Sequence, residues 1–226
     1  AKSVEEIISI VPSLKEMGDV SFEELERLDS TNINPSHWTK LALKIQELHD
    51  QADAIIVTHG TDTMAYTAGA VALALGRGLK IPVIFTGSQL PLVAYGTDAR
   101  FNLENAMKTA IQACDEKIAE VTIVFSDRVL RAARTIKTSE ARFPAFDSPS
   151  FPHLARIDAV GVNFIPETLK VQKETPLKVK PEFQRGILAI DLVPGLEPEI
   201  LTKLLRSGGC QGLLLKSLGA GNVPSE

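Results

Sequence analysis

The sequence is poor in the residues that would signal several common chemistries. Only two of its 226 residues are cysteine, Cys114 in IQACDE and Cys210 in SGGCQG. They stand far apart without CxxC or Cys/His spacing, so no metal site is expected and nothing supports a disulfide. No apolar run approaches the roughly 20 residues that span a bilayer. The opening AKSVEEIISIVPSL also lacks the basic flank and small-residue cleavage site of a signal peptide. The expectation is a cytoplasmic protein with no membrane contact. Basic charge is short as well: the net charge is −4, with Lys and Arg scattered among acids. That leaves no patch for a phosphate backbone and argues against nucleic acid as a partner. Neither GxxxxGK[ST] nor GxSxG occurs, which removes P-loop nucleotide hydrolysis and the ordinary serine-hydrolase elbow.

What is present reads as an ordinary globular chain, with 44% hydrophobic and 23% charged residues. The length suits one generous domain, or one domain with a small companion. AIIVTHG leads into DTMAYTAGAVALAL; IPVIFTGSQLP leads through VAYGTDAR into FNLENAMKTAIQAC; EVTIVFSDR follows. Apolar runs without alternation suit strands covered on both faces. Their alternation with helical stretches predicts an α/β fold built on a doubly wound, mostly parallel sheet. In such sheets the functional loops lie at the carboxyl ends of the strands, where HGTDT and TGSQ fall. Upstream, SVEEIISIVPSLKEM and NPSHWTKLALKIQELHDQAD read as helices, the second capped by Asn34 ahead of Pro35. VSFEELERLDSTN between them reads as a strand or short extended segment ending in the polar cluster Asp29-Ser30-Thr31-Asn32.

Texture changes from Phe151 onward, where Pro, Lys and Glu accumulate without a sustained period. The division expected is an N-terminal α/β domain over 1–155, a linker with short strands over 156–185, and the start of a small C-terminal α/β domain over 186–226. In that last part GILAIDLVPG, LEPEILTKLLRSGG and CQGLLLKSLGAGN resume the strand, helix, strand rhythm. One such unit cannot bury both faces of its sheet, so another chain or further residues are expected to cover it. Gly219-Ala220-Gly221-Asn222 reads as a tight turn rather than a dinucleotide loop. Pro224 occupies the region where a third glycine should open a helix.

HGTDT raises the functional question. Thr61, Asp62 and Thr63 follow a buried strand where a helix begins, and both capping and substrate contact suit that place. A threonine is a weak nucleophile that needs a base. His59, at the strand end, reads as a packed histidine. Lys137, in LRAARTIKTSEARFPAFDSPS, lies in a Gly-poor, non-periodic loop that could reach the same crevice, although a lone lysine is ordinarily a solvated surface charge.

Taken in order, DSTN before an NPxxW helix start, VTHGTDTMAYTA, PVIFTGSQLPL with TDARFNLENA, RTIKTSEARFPAFDSP and KSLGAGNVP resemble the L-asparaginases of the bacterial type, particularly the cytoplasmic type I group. The resemblance covers nearly the whole chain. It implies a cofactor-free amidohydrolase that converts L-asparagine to L-aspartate and ammonia and works as a homodimer or homotetramer. Thr61, Asp62 and Lys137 match a catalytic Thr-Lys-Asp proton relay, with Lys137 kept less basic by burial and by crevice dipoles so that it accepts a proton from Thr61. Thr63 is left with the cap. Asp29 and Ser30 match substrate-binding positions for the α-amino and α-carboxylate groups, and Gly60, Gly87 and Ser88 complete the binding set. The family's primary nucleophile is a threonine in a TGGT-type segment, which these residues do not contain. The resemblance thus implies further residues on both sides, and these 226 alone are expected not to hydrolyse asparagine. Two alternatives share the motifs: an ammonia-producing component of a tRNA-dependent amidotransferase, and a non-catalytic protein that binds asparagine or aspartate. Intact Asp29 and Ser88 argue against the amidotransferase component.

Overall fold

The computed structural model describes residues 11–169 and 175–224. The start of the first expected helix, before Val11, lies outside them. The chain divides into two units, Ala1–Glu182 and Phe183–Glu226.

The first unit is organised by three parallel strands, β1 (Ile55–Thr58), β2 (Val83–Thr86) and β3 (Val121–Phe125), in register with Ile55 opposite Val83 and Val83 opposite Val121. Alternate residues of β2 and β3 enter different cores, as the two-residue period of a strand requires. Val83, Phe85, Val121 and Ile123 join Ile45 of α2 (Pro35–Leu48) and Met64 and Val71 of α3 (Thr61–Leu75). Ile84 and Val124 instead join Ala106 and Ala110 of α4 (Ala99–Asp115). Helices therefore cover both faces, and this two-sided burial is why the strands read as unbroken apolar runs. Burying each large side chain here contributes about 1.5–3 kcal/mol. A short α1 (Ser13–Met17) rests on α4 through Val11, Leu14 and Leu103.

Beyond β3 the sheet changes direction. β4 (Arg128–Arg131), β7 (Ala155–Ile157) and β8 (Val162–Phe164) extend it antiparallel, in the order β1-β2-β3-β4-β7-β8. Only Ser126 and Asp127 separate β3 from β4, too few residues for a parallel crossover. Ser126 meets the reversal with a left-handed φ of 56°. The α/β class and the parallel centre follow the expectation; the antiparallel extension adds to it. β5 (Ile136–Lys137) and β6 (Phe146–Asp147) pair in a separate small ladder.

Two further stretches are placed by what they touch. Residues 19–29 form no strand. Their acids instead reach the exposed side of α2, where Glu26 pairs with Lys40 at 2.7 Å and Glu23 with Lys44 at 2.8 Å. The stretch 156–185, expected as a linker with short strands, supplies the end of β7 and all of β8 to the main sheet, and Leu177 and Val179 pack on the first unit's core. Asn34 caps α2 as expected: its side chain accepts from Ser36 N–H at 3.0 Å, and the His37 ring accepts from Asn34 N–H at 3.1 Å.

In the second unit β9 (Ile187–Asp191) and β10 (Gly212–Lys216) run parallel, linked by α5 (Pro198–Arg206). Leu214 of β10 is 56% exposed. The glycine-rich end is a tight turn, with Leu218 and Asn222 exchanging both backbone hydrogen bonds at 3.0 and 2.8 Å.

Candidate active site

Three loops meet because glycine lets them. His59 N–H donates to Thr86 carbonyl at 2.9 Å and prolongs the β1–β2 ladder past its ends. A β-carbon on Gly87 would collide with the His59 carbonyl oxygen, and one on Gly60 would lie 2.6 Å from Ser30 Oγ. Only glycine permits these approaches. The DSTN segment is a 3-10 turn over Ser30–Asn32, and Thr63 Oγ1 donates to Ser30 carbonyl at 2.7 Å. Thr63 therefore does not cap α3, a correction to the expectation. The N-cap is Gly60, and no side chain caps this helix.

Thr61 and Asp62 spend their side chains elsewhere. Lys137 Nζ lies 3.0 Å from Thr61 Oγ1, 2.7 Å from Asp62 Oδ1 and 2.5 Å from Glu140 Oε2. Lys137 is not in an irregular loop. It stands on β5 opposite Phe146, whose buried ring packs tilted on Phe125 at 4.9 Å. This anchors the backbone while the side chain, 11% exposed, reaches the start of α3. Burial pushes the ammonium down. The hydrogen bonds and charges of Asp62 and Glu140 outweigh it, and its pKa lies above the ordinary lysine range. The expectation that Lys137 is kept less basic is therefore reversed, because two carboxylates neighbour it.

Asp29 Oδ1 accepts from Thr31 N–H and Thr31 Oγ1, both at 2.9 Å, and these bonds hold its carboxyl below the usual range. Ser30 beside it is buried. Gly87 and Ser88 lie in a loop fixed from below by two residues that sequence reasoning did not single out. The Asp98 carboxylate accepts from Gln89 N–H at 3.0 Å and Leu90 N–H at 3.1 Å. Asn102, fully buried, donates to Asp98 Oδ2 at 3.0 Å and to Gly87 carbonyl at 2.9 Å, and accepts from Ser126 N–H at 2.9 Å. Their signal was the polar Asp98 and Asn102, four apart, at the core side of an amphipathic helix. Ser88 Oγ closes the loop on itself, donating to Leu90 carbonyl at 2.6 Å.

His59 is packed, as read. Its Nδ1 lies 2.7 Å from Gly60 carbonyl, and Nε2 is buried without a hydrogen-bond partner among the described residues. Burial pushes the imidazole pKa down and outweighs the opposing Gly60 carbonyl contact. Among the described residues no cluster of His, Cys, Asp and Glu could hold a metal ion. No described helix is long and apolar enough to cross a membrane. Contacts thus bring Ser30 to Gly60, Gly87 to His59, and Lys137 to Thr61 and Asp62, while the side chains of Asp29 and Ser88 bond only within their own loops, to Thr31 and Leu90.

The family described as Asparaginase, N-terminal matches residues 1–170. L-asparaginase 1 of Escherichia coli strain K12 is 37% identical over 214 residues, which are 93% of this chain and 61% of that protein. The solved structure of the thermostable L-asparaginase from Thermococcus kodakarensis superposes with a TM-score of 0.90 at 30% identity, covering 99% of this chain and 66% of that one. A component of the glutamyl-tRNA(Gln) amidotransferase of Metallosphaera sedula is 32% identical over 237 residues, covering 100% of this chain and 52% of the relative. The chain spans 66% of the length of the Thermococcus kodakarensis L-asparaginase and 61% of that of L-asparaginase 1 of Escherichia coli strain K12.

Proposed function

The chain belongs to the asparaginase family, and we propose that the protein hydrolyses L-asparagine to L-aspartate and ammonia, with Thr61, Asp62 and Lys137 as its proton relay. One observation carries the reading: Lys137 Nζ bridges Thr61 Oγ1 at 3.0 Å and Asp62 Oδ1 at 2.7 Å from a different element of the fold. Amide hydrolysis needs a nucleophile, a proton acceptor, an oxyanion stabiliser and a positioned water. As an ammonium, Lys137 donates to Thr61 Oγ1 and fixes the orientation of the hydroxyl. Once one of its own protons has passed to water, Lys137 takes the Thr61 hydroxyl proton and Thr61 Oγ1 takes that of the attacking nucleophile, with Asp62 holding the lysine in place throughout. Attack on the amide carbon falls to a TGGT-type threonine contributed from outside these 226 residues.

A zwitterionic substrate needs an anionic contact for its ammonium and donors for its carboxylate. Asp29, whose carboxyl the Thr31 hydrogen bonds hold below the usual range, serves the ammonium together with Asp62. Ser30 and the free N–H groups at the start of α3 serve the carboxylate. Gly60 keeps Ser30 close to the helix start, and the Gly87–Ser88 loop receives the side-chain amide. The protein acts without a cofactor, as a cytoplasmic homodimer or homotetramer.

The likeness to an amidotransferase component favours a second reading, in which the same site supplies ammonia to a partner enzyme. Ammonia release from asparagine and from glutamine by the full-length protein separates them. Turnover of free asparagine without a partner is expected; a folded protein that releases ammonia from neither amino acid would sink the proposal, and release only with a partner protein and tRNA would favour the second reading.

A further inference from the structure

Lys137 has a third partner that neither the family motifs nor the proposed relay uses. An ammonium carries three N–H donors. Here they face three acceptors: Thr61 Oγ1, Asp62 Oδ1 and Glu140 Oε2. We propose that Glu140 is a positioning residue for Lys137, its carboxylate completing the acceptor set that keeps the lysine protonated and docked between Thr61 and Asp62. The inference rests on the proposed use of Lys137 in amide hydrolysis.

Geometry gives Glu140 a defined place. It sits in the turn that links β5 to β6, where Ser139 Oγ accepts from Ala141 N–H at 3.2 Å and Arg142 N–H at 3.0 Å. Gln89 braces that turn from the neighbouring loop, donating to Arg142 carbonyl at 3.3 Å and to Ser139 carbonyl at 3.5 Å. Gln89 is itself held through its backbone N–H by Asp98. A continuous set of contacts thus runs from the substrate-side loop, through Gln89, to the carboxylate on Lys137. The charged groups facing Lys137 are Asp62 from α3 and Glu140 from this turn. Asp147, on the paired strand, turns its carboxylate to His153 at 2.7 Å and Arg128 at 3.1 Å instead.

Because Glu140 is 80% exposed, the contact is open to screening by salt, whereas the buried part of Lys137 is not. Losing the charge on Glu140 leaves Lys137 with one carboxylate beside it, Asp62, and makes release of a proton easier. The readout is the rate at which an amine-reactive acylating reagent modifies Lys137, followed by peptide mass spectrometry across pH in full-length wild type, Glu140→Gln and Glu140→Asp. In Glu140→Gln the half-maximal pH should fall with an unchanged plateau, giving a rate on the rising limb about two- to five-fold higher, the range open to a screened ion pair. Glu140→Asp should restore part of the shift, and high salt should reduce the difference between wild type and Glu140→Gln. A changed plateau with an unmoved midpoint would mean altered access rather than altered charge and would overturn the proposal, as would identical profiles. Because labelling needs no turnover, a moved midpoint in a protein that hydrolyses no asparagine upholds Glu140 and removes only the proposed function.

Discussion

The two sides of the candidate site are held by opposite means. The Gly87–Leu90 loop is fixed by a buried network, in which Asn102 is 0% and Asp98 8% exposed and every bond runs to backbone or between the pair. Lys137 is held by carboxylates that face water, Asp62 at 52% and Glu140 at 80% exposure. Low dielectric makes the first network strong and costly to leave unsatisfied. The second remains sensitive to pH, salt and bound charge. The fold thus fixes the shape of one side and leaves the charge on the other adjustable.

Thr61→Val would break the adjustable side at its reacting end. It should lower kcat/KM for asparagine about 10²–10⁴-fold, or roughly 3–5 kcal/mol of barrier, measured by ammonia release. Urea unfolding should move little. Asn102→Ala would break the fixed side instead. It strips partners from Gly87 carbonyl, Ser126 N–H and Asp98 together and should cost about 2–3 kcal/mol in urea unfolding. Thr63→Val removes only the tie to Ser30 carbonyl and should cost about 1 kcal/mol by the same measurement, with KM raised more than kcat is lowered. The smallest effect is a pH dependence. Since Lys137's pKa is raised in the folded state, its contribution to stability is complete below the ordinary lysine pKa of about 10.4 and is lost as pH rises through the folded value. The stability difference between wild type and Lys137→Met should therefore be flat from pH 6 to about 9 and shrink only in strong alkali; a difference already shrinking at neutral pH would contradict the raised value.

Much of the parallel centre was legible because both-face burial leaves a direct mark, as in VIFT and VTIVF, and because Asn34-Pro35 is a capping signal that needs no tertiary context. The antiparallel strands β7 and β8 are three residues each, too short to show a period. Lys137 sits on a strand of two residues, so spacing placed it in a loop, and only the family resemblance joined it to Thr61 and Asp62. The raised pKa was not legible because it comes from Asp62 and Glu140 together, and nothing along the chain sets both carboxylates against one lysine. Asp98 and Asn102 were visible as polar residues on a packed helix face, yet their targets became clear only once the Gly87 loop lay against α4.

The proposed role of Lys137 is participation in amide hydrolysis rather than merely joining Thr61 to β5. Its most direct test compares full-length wild type with Lys137→Met for ammonia release from asparagine, alongside calorimetric titration with asparagine. Asparagine is expected still to bind to the variant while turnover falls about 10²-fold or more. Turnover at the wild-type rate in Lys137→Met would contradict it.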